Sequence, residues 1–258
     1  MESDKSTAET ITEIRRWTPK LFSLRITRAA AFRFRAGQFA RLGVMDDHGA
    51  MVWRAYSMVS APHDDFLEFF SIVVPGGAFT SRLSRLQVGD TLHVDKTAFG
   101  YLTLDRFVGG RDLWLLATGT GIAPFMSILD DLAVWTHFER IVLVYSVREV
   151  AELAYLDKIQ QWLAPGPRAD SERTASLIWL PVVTREAMPG ALTRRITDLL
   201  PSGELEAAAG FVIDPERARL MLCGNPQMVL DTRKILQARG LTLSRLAVPG
   251  HYAVEQFW

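Results

Sequence analysis

Several short segments carry residue types that can bind a phosphate or an aromatic ring. Gly119-Thr120-Gly121-Ile122-Ala123-Pro124 follows an apolar run and joins glycines to a proline suited to the first turn of a helix. Glycines let the backbone approach a phosphate or ring closely, and free amides at a helix start favour an anion. The same glycines also serve tight strand–helix turns on steric grounds alone, and the segment is not G-x-G-x-x-G. Ser146-Val147-Arg148 and Thr184-Arg185 also follow apolar runs, with Arg194-Arg195 soon after. A guanidinium matches a phosphate bidentately, so Arg or Ser/Thr at successive strand ends is a candidate site for the 2′-phosphate that separates NADP from NAD. In Cys223-Gly224-Asn225-Pro226-Gln227-Met228, Asn225 can cap a helix and Pro226 can take its first position. Cys223 taken alone is more simply a small buried hydrophobe. Earlier in the chain, Arg54-Ala55-Tyr56-Ser57 sets a guanidinium, a ring and a hydroxyl along an alternating segment.

Elements of two kinds must position these residues. Before about residue 106, short alternating or β-branched runs (Leu21–Thr27, Phe39–Val44, Met51–Val59, Phe66–Val74, Thr91–Asp95) are separated by turn signals such as Ala36-Gly37 and Val88-Gly89-Asp90. That spacing predicts a small antiparallel barrel, interrupted by a helix near Phe79–Leu86 with Ser or Thr as its cap. After Gly109-Gly110, apolar strands alternate with helical segments: Leu113–Ala117 then Pro124–Val134, Ile141–Tyr145 then Glu152–Leu163, Leu177–Val183 then Thr193–Leu200, and Leu220–Cys223 then Gln227–Arg239. This rhythm predicts an α/β doubly wound parallel sheet, and ligands collect at the strand ends of such sheets. The expected domains are 1–106 and 107–258.

Composition narrows the chemistry. Lys plus Arg and Asp plus Glu are both 29, so nothing in the net charge suggests a nucleic-acid binder. The charged opening segment is unlike a secretory signal, and the apolar runs are too short to span a bilayer. These features point to a soluble cytoplasmic protein, with monomer as the default state. One cysteine, Cys223, excludes a disulfide framework and an iron–sulfur cluster, and the five histidines show no metal-ligand spacing, so no metal site is expected. Any redox chemistry then belongs to an organic cofactor.

Taken together, and in order over most of the chain, the motifs resemble the bacterial ferredoxin–NADP reductases, also called flavodoxin reductases. The matching segments are Gly37-Gln38-Phe39, Arg54-Ala55-Tyr56-Ser57, Gly77-Ala78-Phe79-Thr80-Ser81, Gly119–Pro124 and Cys223–Met228. The resemblance implies an FAD-binding barrel, then an NADP-binding domain whose C-terminal tail reaches FAD, with NADPH as donor and ferredoxin or flavodoxin as partner. It implies that Tyr56 lies on the isoalloxazine ring, that Arg54 and the start of the helix at Ala78, Phe79, Thr80 and Ser81 face the pyrophosphate, and that Ala55, Phe70, Ser71 and Ile72 line the flavin. Ser57, Cys223 and Glu255 match positions around flavin N5 and the nicotinamide. Thr120, Ser146, Arg148, Thr184, Arg185, Arg195, Gly224, Asn225 and Met228 fall to the NADP side. Phe257 and Trp258 match aromatic residues that pack on FAD, and the plainer alternative is that Trp258 closes an apolar groove.

Two other functions stay open from the residues. One keeps the fold and changes the acceptor to free flavin, a quinone or an oxygenase. The other is a non-catalytic flavin-binding subunit.

Overall fold

A computed structural model describes residues 5–164 and 174–256 of the chain. Six antiparallel strands come first: β1 (Ser6–Arg16), β2 (Leu21–Thr27), β3 (Phe39–Met45), β4 (Met51–Ser57), β5 (Phe66–Ile72) and β6 (Thr91–Asp95). Their spatial order is β4-β3-β6-β1-β2-β5. The two edges meet, because Met58 bridges Phe69 and the Val59 N–H donates to the Glu68 carbonyl at 2.8 Å. Closure gives the barrel and leaves no long open edge between them. Alternation directs Leu24, Ile26, Leu42, Phe69, Leu92 and Val94 into its core.

Strand β1 is an element that the sequence hides. Its first half pairs with β6, from Ser6 opposite Asp95 to Thr10 opposite Thr91, and its second half pairs with β2. A register shift between Ile11 and Glu13 lets one strand serve both neighbours. The helix expected over Phe79–Leu86 is shorter, α1 (Thr80–Leu83), with Phe79 at its N-cap and no side-chain cap. The Thr80 hydroxyl instead accepts from the Val74 N–H at 3.0 Å, fixing the turn that leads into the helix.

The second sheet is parallel: β7 (Asp112–Thr118), β8 (Arg140–Val147), β9 (Ser176–Val183), β10 (Ala218–Cys223) and β11 (Tyr252–Glu255), in the order β11-β10-β7-β8-β9. Helices α2 (Ala123–Asp130), α3 (Leu132–His137), α4 (Leu156–Leu163), α5 (Ile196–Ser202), α6 (Glu204–Ala209) and α7 (Pro226–Ala238) connect the strands. The single helix expected at Pro124–Val134 is two, since the Asp131 carboxylate caps α3 by accepting from Ala133 N–H at 3.0 Å. Strand order reverses between β7 and β10, which puts the switch point of the sheet there. At the opposite edge, buried Asp112 holds Arg140 bidentately at 2.6 and 2.7 Å and Arg217 at 3.4 Å, tying the starts of β7 and β8 together.

The chain up to Thr103, together with Ala123–Asp130, forms one compact unit; Leu104–Ile122 with Asp131–Trp258 forms the other. Helix α2 therefore packs with the barrel, where the buried Ser127 hydroxyl donates to the Ser60 carbonyl at 2.7 Å.

Candidate active site

In the first unit, β4 presents its residues alternately. Arg54 is exposed, and its guanidinium donates to the Trp53 carbonyl at 2.7 Å while pairing with no carboxylate among the described residues. Tyr56 points to the other side. Its ring packs against Phe79 at 5.6 Å between centroids, and its hydroxyl lies 3.0 Å from the Ser71 hydroxyl. Burial raises the phenol pKa, so Tyr56 stays a neutral partner for Ser71. Ser71 and Phe70 are buried on β5, with Ile72 half-buried at its end, and Ser57 is buried where β4 stops. Ala55 is half-buried between Arg54 and Tyr56.

The turn before α1 supplies backbone donors. A Cβ on Gly77 would lie 2.9 Å from the Thr80 hydroxyl and 3.0 Å from the Val74 carbonyl, so the turn closes this tightly only around glycine. Thr80 bonds both polar groups of Val74, and the Ser81 N–H donates to the Gly77 carbonyl at 3.2 Å. What Thr80 offers a ligand is therefore its amide rather than its hydroxyl. The amides of Ala78, Phe79 and Thr80 have no backbone acceptor among the described residues. Close by, Arg82 donates to the Ala78 carbonyl and pairs with Asp47 at 2.6 Å. An unpaired guanidinium, open amides and a half-buried tyrosine ring fit a cofactor that joins phosphates to a flat ring, as FAD does.

In the second unit, chemistry gathers at the switch point. The turn Gly119–Ile122 after β7 and the turn after β10 touch closely. A Cβ on Gly121 would lie 2.3 Å from the Cys223 carbonyl oxygen, and one on Gly224 would lie 2.2 Å from the Thr118 hydroxyl. Gly224 also has φ +132°, a conformation that side chains resist. Thr118 accepts from the Asn225 N–H at 2.7 Å, and Asn225 caps α7 by accepting from Gln227 and Met228 amides at 2.9 and 3.2 Å. Thr120 is half-buried in the glycine turn, and Met228 is buried in the first turn of α7. The result is a crevice wall of bare backbone, suited to a flat ring or a phosphate.

Cys223 and Glu255 close the ends of β10 and β11, and both are buried. Burial first, and the Glu255 charge second, push the Cys223 thiol well above its ordinary pKa. Cys223 is therefore a neutral thiol, suited to contact and positioning rather than to nucleophilic attack.

Further along the same edge, Ser146 is buried and Thr184 donates to the Val147 carbonyl at 3.2 Å. Arg148, Arg185 and Arg195 are exposed, with no side-chain partner among the described residues. Arg194 differs, because it bonds Ser202 at 2.8 Å and also Glu204. Unpaired arginines just after the neighbouring strands β8 and β9, with a third at the N-cap of α5, fit a phosphate ester. Phe257 and Trp258 lie outside the described residues. Glu152 and Glu186, which hold the loops carrying Arg148 and Arg185, escaped the reading of the sequence. The spacing Glu149-x-x-Glu152 is a capping-box signal that was there to be read.

Known proteins agree with this geometry. Residues 10–101 match the family model for the oxidoreductase FAD-binding domain, and residues 115–234 match that for the oxidoreductase NAD-binding domain. The chain is 44% identical to ferredoxin–NADP reductase A of Sorangium cellulosum, over 97% of this chain and 89% of that one. It is 40% identical to the flavodoxin/ferredoxin–NADP reductase of Escherichia coli, over 96% of this chain and 97% of that one. Its structure is similar to a ferredoxin NADP+ reductase from Neisseria gonorrhoeae with bound FAD and NADP, with a TM-score of 0.90, 38% identity and 98% of each chain covered. Two half-sites that suit FAD and NADP, and relatives of this identity along nearly the whole chain, lead to one conclusion: the chain belongs to the family of ferredoxin/flavodoxin–NADP reductases.

Proposed function

We propose that the protein is an FAD-dependent reductase that carries electrons between NADPH and ferredoxin or flavodoxin. The carrying observation is the combination of the Arg54–Ser57 strand and Gly77 turn in one unit with the glycine crevice and unpaired arginines in the other. Bound FAD supplies a ring that exchanges a hydride with the nicotinamide and single electrons with the protein partner.

In this reading the residues bind and orient. Tyr56 lies against the flavin ring, held at its hydroxyl by Ser71, with Ala55, Phe70 and Ile72 beside it. Arg54 and the open amides of Ala78, Phe79 and Thr80 bind the pyrophosphate, with the Ser81 hydroxyl beside them. Ser57 donates a hydrogen bond near flavin N5. On the other unit, Thr120, Gly224, Asn225 and Met228 line the nucleotide crevice, with Ser146 and Thr184 beside the arginines. Arg148, Arg185 and Arg195 bind the 2′-phosphate. Cys223 places the nicotinamide, and Glu255 supplies a proton. Positioning is the main contribution, because hydride transfer needs alignment more than it needs a strong acid or base.

Among the described residues no helix is long and apolar enough to cross a membrane. The proposal extends to a cytoplasmic monomer, and light scattering that returned twice the chain mass would overturn that part.

The test is an anaerobic absorbance titration. Purified protein should show flavin absorbance that bleaches faster with NADPH than with NADH, and should then reduce ferredoxin or flavodoxin in turnover. A colourless protein that FAD cannot restore would sink the reading. Faster turnover with free flavin or quinone than with either protein would change the acceptor.

A further inference from the structure

The loops that follow β8 and β9 are joined by both backbone and carboxylates. The Arg185 N–H donates to the Arg148 carbonyl at 2.9 Å, and the Thr184 N–H donates to the Val147 carbonyl at 3.1 Å. Within the β8 loop, Glu152 Oε2 accepts from the Arg148 and Glu149 amides at 2.9 and 3.3 Å. Between the loops, Glu186 Oε1 accepts from the Val150 N–H. The amides of three consecutive residues, Arg148, Glu149 and Val150, are thus each held by a carboxylate. Neither carboxylate forms an ion pair with an arginine side chain among the described residues.

That arrangement needs a reason. A carboxylate close to a phosphate site repels the phosphate, so two of them in these loops work against binding by charge alone. The compensating gain is geometric. Loops carrying free arginines lose side-chain and loop freedom on binding unless anchored, and two arginines act on one phosphate only if both guanidiniums are presented to it together.

We infer that Glu186 is a positioning residue for pyridine-nucleotide specificity: by bonding the Val150 amide it fixes the β8 loop to the β9 loop, so that Arg148 and Arg185 face the 2′-phosphate of NADPH as a pair. This rests on the assignment of those arginines to the 2′-phosphate. Glu186 touches no substrate in this account, and Glu152 performs the same anchoring within its own loop. The carboxylate's acceptor oxygen does the work and its charge is a cost, so the two properties separate by substitution.

The experiment measures binding of 2′-phospho-AMP and of 5′-AMP to the full-length FAD-loaded protein by calorimetry, for the native protein, Glu186→Ala, Glu186→Gln and the pair Arg148→Ala/Arg185→Ala. Glu186→Ala should weaken 2′-phospho-AMP about fivefold, the usual effect of losing one hydrogen bond, and leave 5′-AMP unchanged. Glu186→Gln keeps an acceptor oxygen and should bind 2′-phospho-AMP at least as tightly as the native protein. Native or tighter binding by Glu186→Ala would overturn the inference. So would an equal loss in Glu186→Gln, which would assign the effect to charge, or an equal loss of both nucleotides, which would assign it to general loop stability. If the double arginine variant still prefers 2′-phospho-AMP, the failure lies in the phosphate-site assignment beneath the inference.

Discussion

Cys223 and Glu255 are register partners at the ends of β10 and β11, so a thiol and a carboxylate share one buried end of the sheet. Burial is the larger cause of the raised thiol pKa and the neighbouring charge the smaller. The native thiol should therefore react with iodoacetamide at pH 8 at least ~10-fold more slowly than a free cysteine. Glu255→Gln should move the pH dependence of alkylation downward. The sign for stability follows from a folded pKa above the unfolded one. The contribution is complete below the ordinary value of 9.0 and is lost as pH rises beyond it. Denaturant titrations between pH 7 and 10 on native protein and Cys223→Ala measure this, and equal slopes for the two would refute it.

Arg148, Arg185 and Arg195 are exposed and have no carboxylate partner among the described residues, whereas Arg194 is engaged with Ser202 and Glu204. Replacing any of the first three with Ala should raise KM for NADPH about 10-fold and change KM for NADH little. Arg194→Ala should leave the ratio near its native value. Steady-state kinetics with both nucleotides tests this, and equal loss with NADPH and NADH would remove the arginines from the 2′-phosphate.

Gly121 is crowded by the backbone of Cys223 and Gly224, and Gly224 by the hydroxyl and backbone of Thr118. A methyl group on Gly121 meets the Cys223 carbonyl at 2.3 Å, and that carbonyl cannot move without shifting β10. Gly121→Ala should cost roughly 2–3 kcal/mol of stability in urea titration, in the range for overpacking a tight site. Gly119→Ala meets no atom within 4 Å, so only its φ of +53° opposes the change. It should cost about 1 kcal/mol. Equal effects at the two positions would show that backbone conformation, and not close approach, governs the turn.

The strand ends that carry this chemistry were legible because each follows a near-continuous apolar run: Leu113–Ala117, Ile141–Tyr145, Leu177–Val183 and Leu220–Cys223 all lie inside parallel strands. The motif at Arg54–Ser57 was legible for a similar reason, since alternation marks β4. Strand β1 was not, because Glu9 and Glu13 interrupt its Thr and Ile pattern and its two halves serve different neighbours. Strand β11 is four residues long and follows a loop, so no period announces it. The loop carboxylate Glu186 was invisible for a different reason, whereas Glu152 carried a capping-box spacing with Glu149. The importance of Glu186 lies in the Val150 amide that it holds, 36 residues away in another loop.

His251 precedes β11, and its ring holds that strand to the preceding loop. Nδ1 accepts from the Thr242 N–H at 3.0 Å and lies 2.9 Å from the Thr242 hydroxyl. An accepting Nδ1 must be unprotonated, so the bound ring is neutral with its hydrogen on Nε2. Burial, and then the Arg219 guanidinium, lower the imidazole pKa in agreement with that tautomer. The unfolded chain takes up the proton near 6.5 and the folded one does not. Stability should therefore be complete above that pH and fall as pH drops below it, until the folded pKa is reached. His251→Gln should flatten this part of the profile, because an amide keeps an acceptor oxygen for Thr242 but takes up no proton in this range. Urea titrations from pH 5 to 8 on the two proteins decide the matter: an unchanged slope in His251→Gln would mean that some other group titrates, and that the anchor of β11 does not sense acid.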